Sequence, residues 1–200
     1  MLKLDHIAVA GETLEAARAH VEGALGVPLQ EGGQHARFGT HNALLGLADG
    51  LYLEAIAVDP AQTPEHTPRW FDLDRFTGQP RLTNWICSAE DLARTLENLP
   101  QAGHIHALSR GALQWQMAVP ETGVLPFDNL CPALLQWDCP HPAASLTQQG
   151  CSLQRLVVCH PETKALAQLC GPVKGPVVFE TGAPQVIAEI QTPHGLRLLQ

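Results

Sequence analysis

The chain is short of positive charge. Its 200 residues hold 12 Lys and Arg against 20 Asp and Glu, a net charge of −8 at pH 7. That balance excludes the basic face a nucleic-acid backbone demands and argues against an anionic membrane surface. No apolar run approaches the ~20 residues of a membrane-crossing helix. None of the six cysteines (Cys87, Cys131, Cys139, Cys151, Cys159, Cys170) sits in a Cys-x-x-Cys pair, so no zinc ribbon or redox motif is indicated. Cys87 and Cys159 fall late in predicted strands and read as reduced, buried small hydrophobes. A chain of this size needs no disulfide framework. Also missing are a Gly-x-x-x-x-Gly-Lys phosphate loop, a Gly-x-Ser-x-Gly nucleophile elbow and a dinucleotide fingerprint after a strand. A strand begins almost at once and carries Asp5, which does not read as a signal peptide. The expectation is a cytoplasmic protein whose partner is a small molecule; a homodimer is left open.

What is present suffices for a folded core. The sequence is 45% hydrophobic and 16% charged, which excludes global disorder, and its length suits one large domain or two small ones. The organising stretch is Leu4-Asp5-His6-Ile7-Ala8-Val9-Ala10, a strand by its β-branched residues and freedom from breakers before Gly11. The strand-then-helix phrase returns at Leu82-Thr83-Asn84-Trp85-Ile86-Cys87-Ser88 and at Leu153-Gln154-Arg155-Leu156-Val157-Val158-Cys159. Aligned without gaps, His6, Asn84 and Arg155 share one position, as in a repeated supersecondary unit.

Residues 1–58 read as a first βαβββ module. Leu14, Ala17, Val21 and Leu25 form one helical stripe, stopped by Gly26 and Pro28. Residues 30–37 read as a loop or weak strand, and two strands, 42–47 and 51–58, flank a tight turn at Ala48-Asp49-Gly50. Residues 59–81, with four prolines, read as a connector anchored by Trp70, Phe71 and Phe76. A second module occupies 82–142. Its helix is capped by Ser88 with Asp91 behind it, carries Leu92, Leu96 and Leu99, and closes at Pro100. Its strands are 113–119 and one centred on Leu134 to Trp137. A third, module-like β-α-β-β-β unit covers 143–200. Pro161 and Glu162 open its helix, and short strands follow at 177–180, 185–190 and 196–199. The ending His194 to Leu199 echoes Asp49 to Glu54, with Leu199 in place of Glu54. The fold class is α+β, with curved, mostly antiparallel sheets.

Alternation along a strand puts Leu4, His6 and Ala8 on one face, and Tyr52, Glu54 and Ile56 on one face. With these strands near neighbours in one curved sheet, His6 and Glu54 point into the same concavity. A neutral imidazole and a carboxylate make half of a divalent metal site suited to Zn, Mn, Fe, Co or Ni, less so to Ca. Glu54 within Leu-Tyr-Leu-Glu-Ala-Ile cannot stay buried and unpaired, because an isolated buried charge is very costly.

Leu-Asp-His-Ile at 4–7, Gly39-Thr40-His41-Asn42-Ala43-Leu44 and Leu51-Tyr52-Leu53-Glu54 resemble the glyoxalase-like domain of the vicinal oxygen chelate superfamily. So do Leu125-Pro126-Phe127, Trp137 to Pro142, and Thr192-Pro193-His194-Gly195. The resemblance implies βαβββ modules curled around a ligand cavity with helices outside. It also implies a metal held by the first and last strands of two modules. The superfamily spans lyases, isomerases, epimerases, dioxygenases and metal-free binding proteins, so the fold alone does not name a reaction. Carried over, His6 and Glu54 match the first module's ligand positions. The second unit offers Asn84 and Gln136, poor ligands for a transition metal, and the third offers Arg155 and Leu199, which cannot serve. A three-ligand site with water is chemically sufficient, with His41 as the candidate third ligand.

Plainer readings stand beside these. His6 can hydrogen-bond within a packed sheet, His41 can be a surface loop residue, and Asn42 can form a turn. Arg155 either neutralises Glu54 or binds a substrate carboxylate through its planar fork. Tyr52 and Trp85 suit cavity walls or the core. The leading expectation is a lyase- or isomerase-type enzyme acting on a small carbonyl or hydroxy-acid compound. A divalent metal would chelate the substrate's vicinal oxygens, with Glu54 as ligand or base and Arg155, Tyr52, Asn84 and Asn42 contacting substrate. The alternative is a metal-free small-molecule binding protein of the same fold.

Overall fold

In the computed structural model, which describes residues 1–200, the first unit runs β1 (Leu2–Ala10), α1 (Leu14–Leu25), β2 (Gln30–His35), β3 (Thr40–Gly46) and β4 (Tyr52–Val58). Thr13 caps α1 by accepting from the Ala16 amide, and Gly26 ends it in the left-handed region at φ 72°. Ala17, Val21 and Leu25 are fully buried, as their spacing predicts. Asp49 and Gly50, at φ 61° and 73°, turn the chain between β3 and β4. The connector is pinned by buried Trp70 and Phe71.

The second unit runs β5 (Arg81–Ser88), α2 (Leu92–Leu96), β6 (His104–Arg110), β7 (Leu113–Val119), a single turn α3 (Pro126–Asn129) and β8 (Ala133–Trp137). Two details differ from expectation. The cap of α2 is Asp91, whose carboxylate accepts from the Arg94 amide, and the helix ends at Leu96. The strand β6 was not expected at all. It is an edge strand with a largely exposed pattern, so it lacks the apolar alternation that marks a half-buried strand.

The main sheet has the order β2-β3-β4-β1-β5-β8-β7-β6. Each module places its last strand parallel to its first, β4 beside β1 and β8 beside β5, and the two first strands pair antiparallel. His6 lies opposite Ile86 and Ala8 opposite Asn84, a register that treats His6 and Asn84 as equivalents under a local two-fold. The sheet curls into a half-barrel, and the combination of βαβββ modules makes the fold α+β, as the sequence implies.

The third unit runs β9 (Ser152–Cys159), α4 (Thr163–Cys170), β10 (Val173–Lys174), β11 (Val177–Glu180), β12 (Gln185–Thr192) and β13 (Gly195–Leu199). Its sheet has a different order, β11-β9-β12-β13, with β9 central. β9 pairs parallel with β11 and antiparallel with β12, while β10 leaves to extend the main sheet beside β1. The unit therefore repeats the order of elements but not the pairing that builds a cavity. Its apolar face (Leu156, Val158, Val186, Ala188 and Ile190) joins one continuous core with β1, β5 and α1. Trp85 faces this second sheet, edge-on to Phe179, and donates its indole N–H to the Leu130 carbonyl at 2.8 Å. It is core, not cavity wall.

Candidate functional site

One irregularity in β1 builds the site. Leu4 pairs with Cys87 and His6 with the adjacent Ile86, so Asp5 is the extra residue of a β-bulge. A bulge breaks the strict alternation of faces, and it brings the Asp5 and His6 side chains together. His6 Nδ1–H donates to Asp5 Oδ1 at 2.8 Å. Asp5 Oδ2 accepts from Trp137 Nε1 and His141 Nε2, each at 3.0 Å. His141 Nδ1 in turn accepts from the Ala143 amide at 3.2 Å, which fixes that ring as the Nε2–H tautomer. Burial alone would raise the Asp5 pKa, but the hydrogen bonds from His141 and His6 hold it far below the usual carboxylate range.

His6 Nε2 stands 3.5 Å from Glu54 Oε1. Burial works against the charged imidazole, but the hydrogen bonds to Asp5 and Glu54 outweigh it and raise its pKa to about 9. Its place between two carboxylates thus favours the protonated ring. Tyr52 stacks on it, ring centroids 4.2 Å apart and planes 14° from parallel. Burial, with Asp5 and Glu54 nearby, keeps the Tyr52 phenol protonated.

Glu54 is buried and ionised. Burial opposes its charge, and the hydrogen bond and charge of His6 lower its pKa against that cost, aided by Asn42. Asn42 Nδ2 donates to Glu54 Oε2 at 2.8 Å, while Asn42 Oδ1 accepts from the Gly33 amide at 2.9 Å and from Arg110 Nη1 at 3.1 Å. Arg110 Nη1 also donates to His35 Nε2 at 3.1 Å, and His35 Nδ1–H donates to Thr40 Oγ1 at 3.0 Å. Burial lowers the His35 pKa to about 4, with neighbouring Arg110 acting the same way, so His35 is a neutral ring that orients the guanidinium. No carboxylate pairs with Arg110. A Cβ at position 33 would lie 2.7 Å from Arg110 Cδ, so a side chain there would displace the Arg110 side chain.

These groups line one small cavity of about 40 Å³, partly open to solvent. The first module supplies its polar side: His6, His35, Asn42, Tyr52 and Glu54, with Arg110 reaching over from β6. The opposite wall is apolar: Leu113, Trp115, Met117, Leu135 and Trp137. The other expected site residues are elsewhere. His41 alternates with Asn42 on β3 and turns to the outer face, 4.0 Å from Asp59. Arg155 lies in the second sheet, paired with Glu180 and Glu189. Asn84 donates to the Asn129 carbonyl at 3.4 Å, does not line the cavity, and keeps its Oδ1 buried without a partner. Gln136 accepts from the Leu92 amide on the outer side. The register puts Ala133 opposite Ile86, as Glu54 lies opposite Ala8, so Ala133 is the second module's counterpart of Glu54.

Sequence reasoning missed Asp5, Arg110, His35 and His141. Asp5 is concealed by strand alternation, which a bulge cancels. Arg110 sits on the unrecognised edge strand, where the signal is seven residues bounded by Gly103 and Gly111.

The residues do not fit the resident metal that the resemblance implies. Two donors converge, Nε2 of His6 and Oε1 of Glu54, where a stable site takes at least three. No three His, Cys, Asp or Glu side chains are arranged so that they could hold one metal ion. Asn42 turns its NH₂ group, not its oxygen, toward Glu54, and the second module contributes the apolar Ala133.

Two βαβββ modules curled around such a cavity define a protein of the vicinal oxygen chelate superfamily. Residues 4–173 match the family described as Glyoxalase-like domain, and the chain belongs to it. Among solved structures, a Staphylococcus aureus protein described as hypothetical is similar in fold, at 16% identity and TM-score 0.67, over 96% of this chain and 91% of that one. The methylmalonyl-CoA epimerase of Mycobacterium tuberculosis is 19% identical, with TM-score 0.42 over 70% of this chain and 91% of that one. The Streptomyces coelicolor enzyme of that name is 16% identical, with TM-score 0.44 over 70% and 100%. No curated protein matches.

Proposed function

We propose that the chain is an isomerase- or lyase-type enzyme that moves a proton at a carbon next to a carbonyl in a small substrate bearing a carboxylate. The observation that carries this reading is an ionised, buried Glu54 bridged by one amide, Asn42, to an arginine with no carboxylate partner. Arg110 offers its planar fork to the substrate carboxylate. Glu54 Oε1 takes the proton from carbon, the C–H electron pair enters the carbonyl, and the oxygen gains negative charge. Return of the proton from Glu54 to the same carbon completes an exchange; return to the adjacent carbon, with the proton of the neighbouring hydroxyl passing to the former carbonyl oxygen, completes an isomerisation. The apolar wall fits the substrate's carbon skeleton.

A direct test is deuterium incorporation in D₂O, followed by NMR, over a panel of small 2-oxo and 2-hydroxy carbonyl acids. Glu54→Gln is expected to slow exchange by on the order of 10²–10⁴-fold, and Arg110→Ala to raise KM more than it lowers kcat. Full exchange in a folded Glu54→Gln protein would sink this reading. The second reading, a metal-free binding protein, is favoured by the apolar wall, which places all the polar chemistry on one side. It predicts a ligand-dependent rise in Tm with no exchange on any panel member.

A further inference from the structure

We infer that Arg37, His66 and His106 form an anion site on the seam where the half-barrel closes, suited to a phosphate group. None of the three lines the cavity that holds Glu54, and the inference does not rest on the reading of that residue as base.

β2 and β6 are the two ends of the main sheet, and side chains alone join them across the seam. On β6, His106, Leu108 and Arg110 are half-buried and alternate with exposed Ile105, Ala107 and Ser109, so His106 and Arg110 project from one face. Arg110 donates to His35 of β2, and in the reverse sense Arg37 Nε–H, just beyond β2, donates to His106 Nδ1 at 3.1 Å. The His66 amide donates to the Arg37 carbonyl at 2.8 Å. The His66 ring stands 4.6 Å from that of His106, with the planes 59° apart. Phe38, fully buried and stacked on Trp70, meets both imidazoles edge-on at 5.4 and 5.5 Å.

Accepting from Arg37 leaves the proton of a neutral His106 ring on Nε2. That nitrogen, both Nη nitrogens of Arg37 and both ring nitrogens of His66 have no protein partner, and none is sealed from solvent. No carboxylate forms an ion pair with these three side chains; Glu121 pairs with His104 instead, at 3.3 Å. Burial lowers the His106 pKa, and His66, Arg37 and His104 push it the same way, as like charges do when no counter-ion is present. In a chain with 20 Asp and Glu against 12 Lys and Arg, this is a local reversal of sign, and a local field of that sign draws anions. The planar fork of Arg37 and two mutually tilted rings offer donors from three directions. That arrangement suits a tetrahedral oxyanion better than a planar carboxylate.

The test follows the histidine Cε1–H resonances by NMR, assigned through His66→Gln and His106→Gln. Inorganic phosphate or methyl phosphate is added to the untagged protein at constant pH and ionic strength. His66 and His106 are expected to shift with one saturating midpoint, on the order of 1 mM. His20 and His194, which bond to the Gln200 and Gly26 carbonyls, are expected to stay in place. Saturation by both probes identifies the phosphate group of an esterified ligand, and saturation by inorganic phosphate alone identifies the free ion; either supports the site. Arg37→Ala is expected to weaken binding by at least about tenfold. Arg37→Lys, which keeps the charge, covers the case in which Arg37→Ala fails to fold and is expected to weaken binding by a smaller factor. Acetate, the planar control, is expected to bind more weakly, and equal affinity for it would overturn the choice of phosphate. Absence of a saturating shift at His66 and His106, or an affinity unchanged in both Arg37 variants, would overturn the site. Neither result touches the exchange assay on Glu54.

Discussion

Asn42 donates to Glu54 Oε2 at 2.8 Å and accepts from Arg110 at 3.1 Å, so one amide joins the buried anion to the cation of the opposite module. The amide cannot be flipped without facing oxygen to carboxylate and NH₂ to guanidinium. Asn42→Ala removes a hydrogen bond to a charged group, which costs ~1.5–3 kcal/mol. Asn42→Asp adds a second buried carboxylate and is expected to cost more. Denaturant unfolding at pH 7 measures both, and equal stability of Asn42→Asp and wild type would contradict the network.

Stability should peak near pH 6.5. His6, raised to about 9 in the folded chain from 6.5, contributes stability that is complete below pH 6.5 and is lost as pH rises to 9. His35, lowered to about 4, acts in the opposite direction: the folded state resists protonating it, so stability falls as pH drops from 6.5 to 4. Glu54, lowered from 4.5, adds stability that is present above pH 4.5 and is lost as pH falls through its folded value. Each histidine shift spans about 2.5 pH units, on the order of 3 kcal/mol. Tm profiles should lose their alkaline limb in His6→Asn and most of the limb between pH 6.5 and 4 in His35→Gln.

Arg110 and Arg155 should separate cleanly. Arg155→Ala removes a half-exposed cluster with Glu180 and Glu189, worth ~0.2–1 kcal/mol, and should leave ligand affinity unchanged. Arg110→Ala should remove carboxylate binding. Calorimetric titration of the best ligand of the exchange panel into both variants distinguishes them, and a loss of affinity in Arg155→Ala would reverse the assignment.

Trp137 has two roles, apolar wall and donor to Asp5. Trp137→Phe keeps most of the wall but removes a hydrogen bond to a buried carboxylate, an expected loss of ~1.5–3 kcal/mol. Trp115→Phe, at the neighbouring wall position with no indole hydrogen bond, should cost less than Trp137→Phe. Equal losses in urea titrations would deny the Asp5 contact its importance.

The parts of the site that sequence makes legible share one property. Tyr52 and Glu54 lie on a regular strand where alternation decides the face, and His6 opens the stretch of β1 after the bulge, in register with Tyr52. His41 was misjudged by the same rule, because its neighbour Asn42 is the inward residue. Arg155 failed for a topological reason. Its phrase matches β1, but β9 sits in the middle of a separate sheet, and pairing order is set by non-local contacts that a local phrase does not encode.

By itself the sequence determined the elements of the first module, its turns and four polar residues of the cavity, His6, Asn42, Tyr52 and Glu54, because hydrophobic period, glycine turns and helix stops are local properties. Tertiary structure alone decided three things. The bulge at Asp5 depends on β1 pairing with β5. Arg110 reaches the site only because the sheet curls until β6 faces β2. The surroundings of His6 are set by Asp5, Trp137, His141 and Glu54, residues up to 136 positions from one another in the chain.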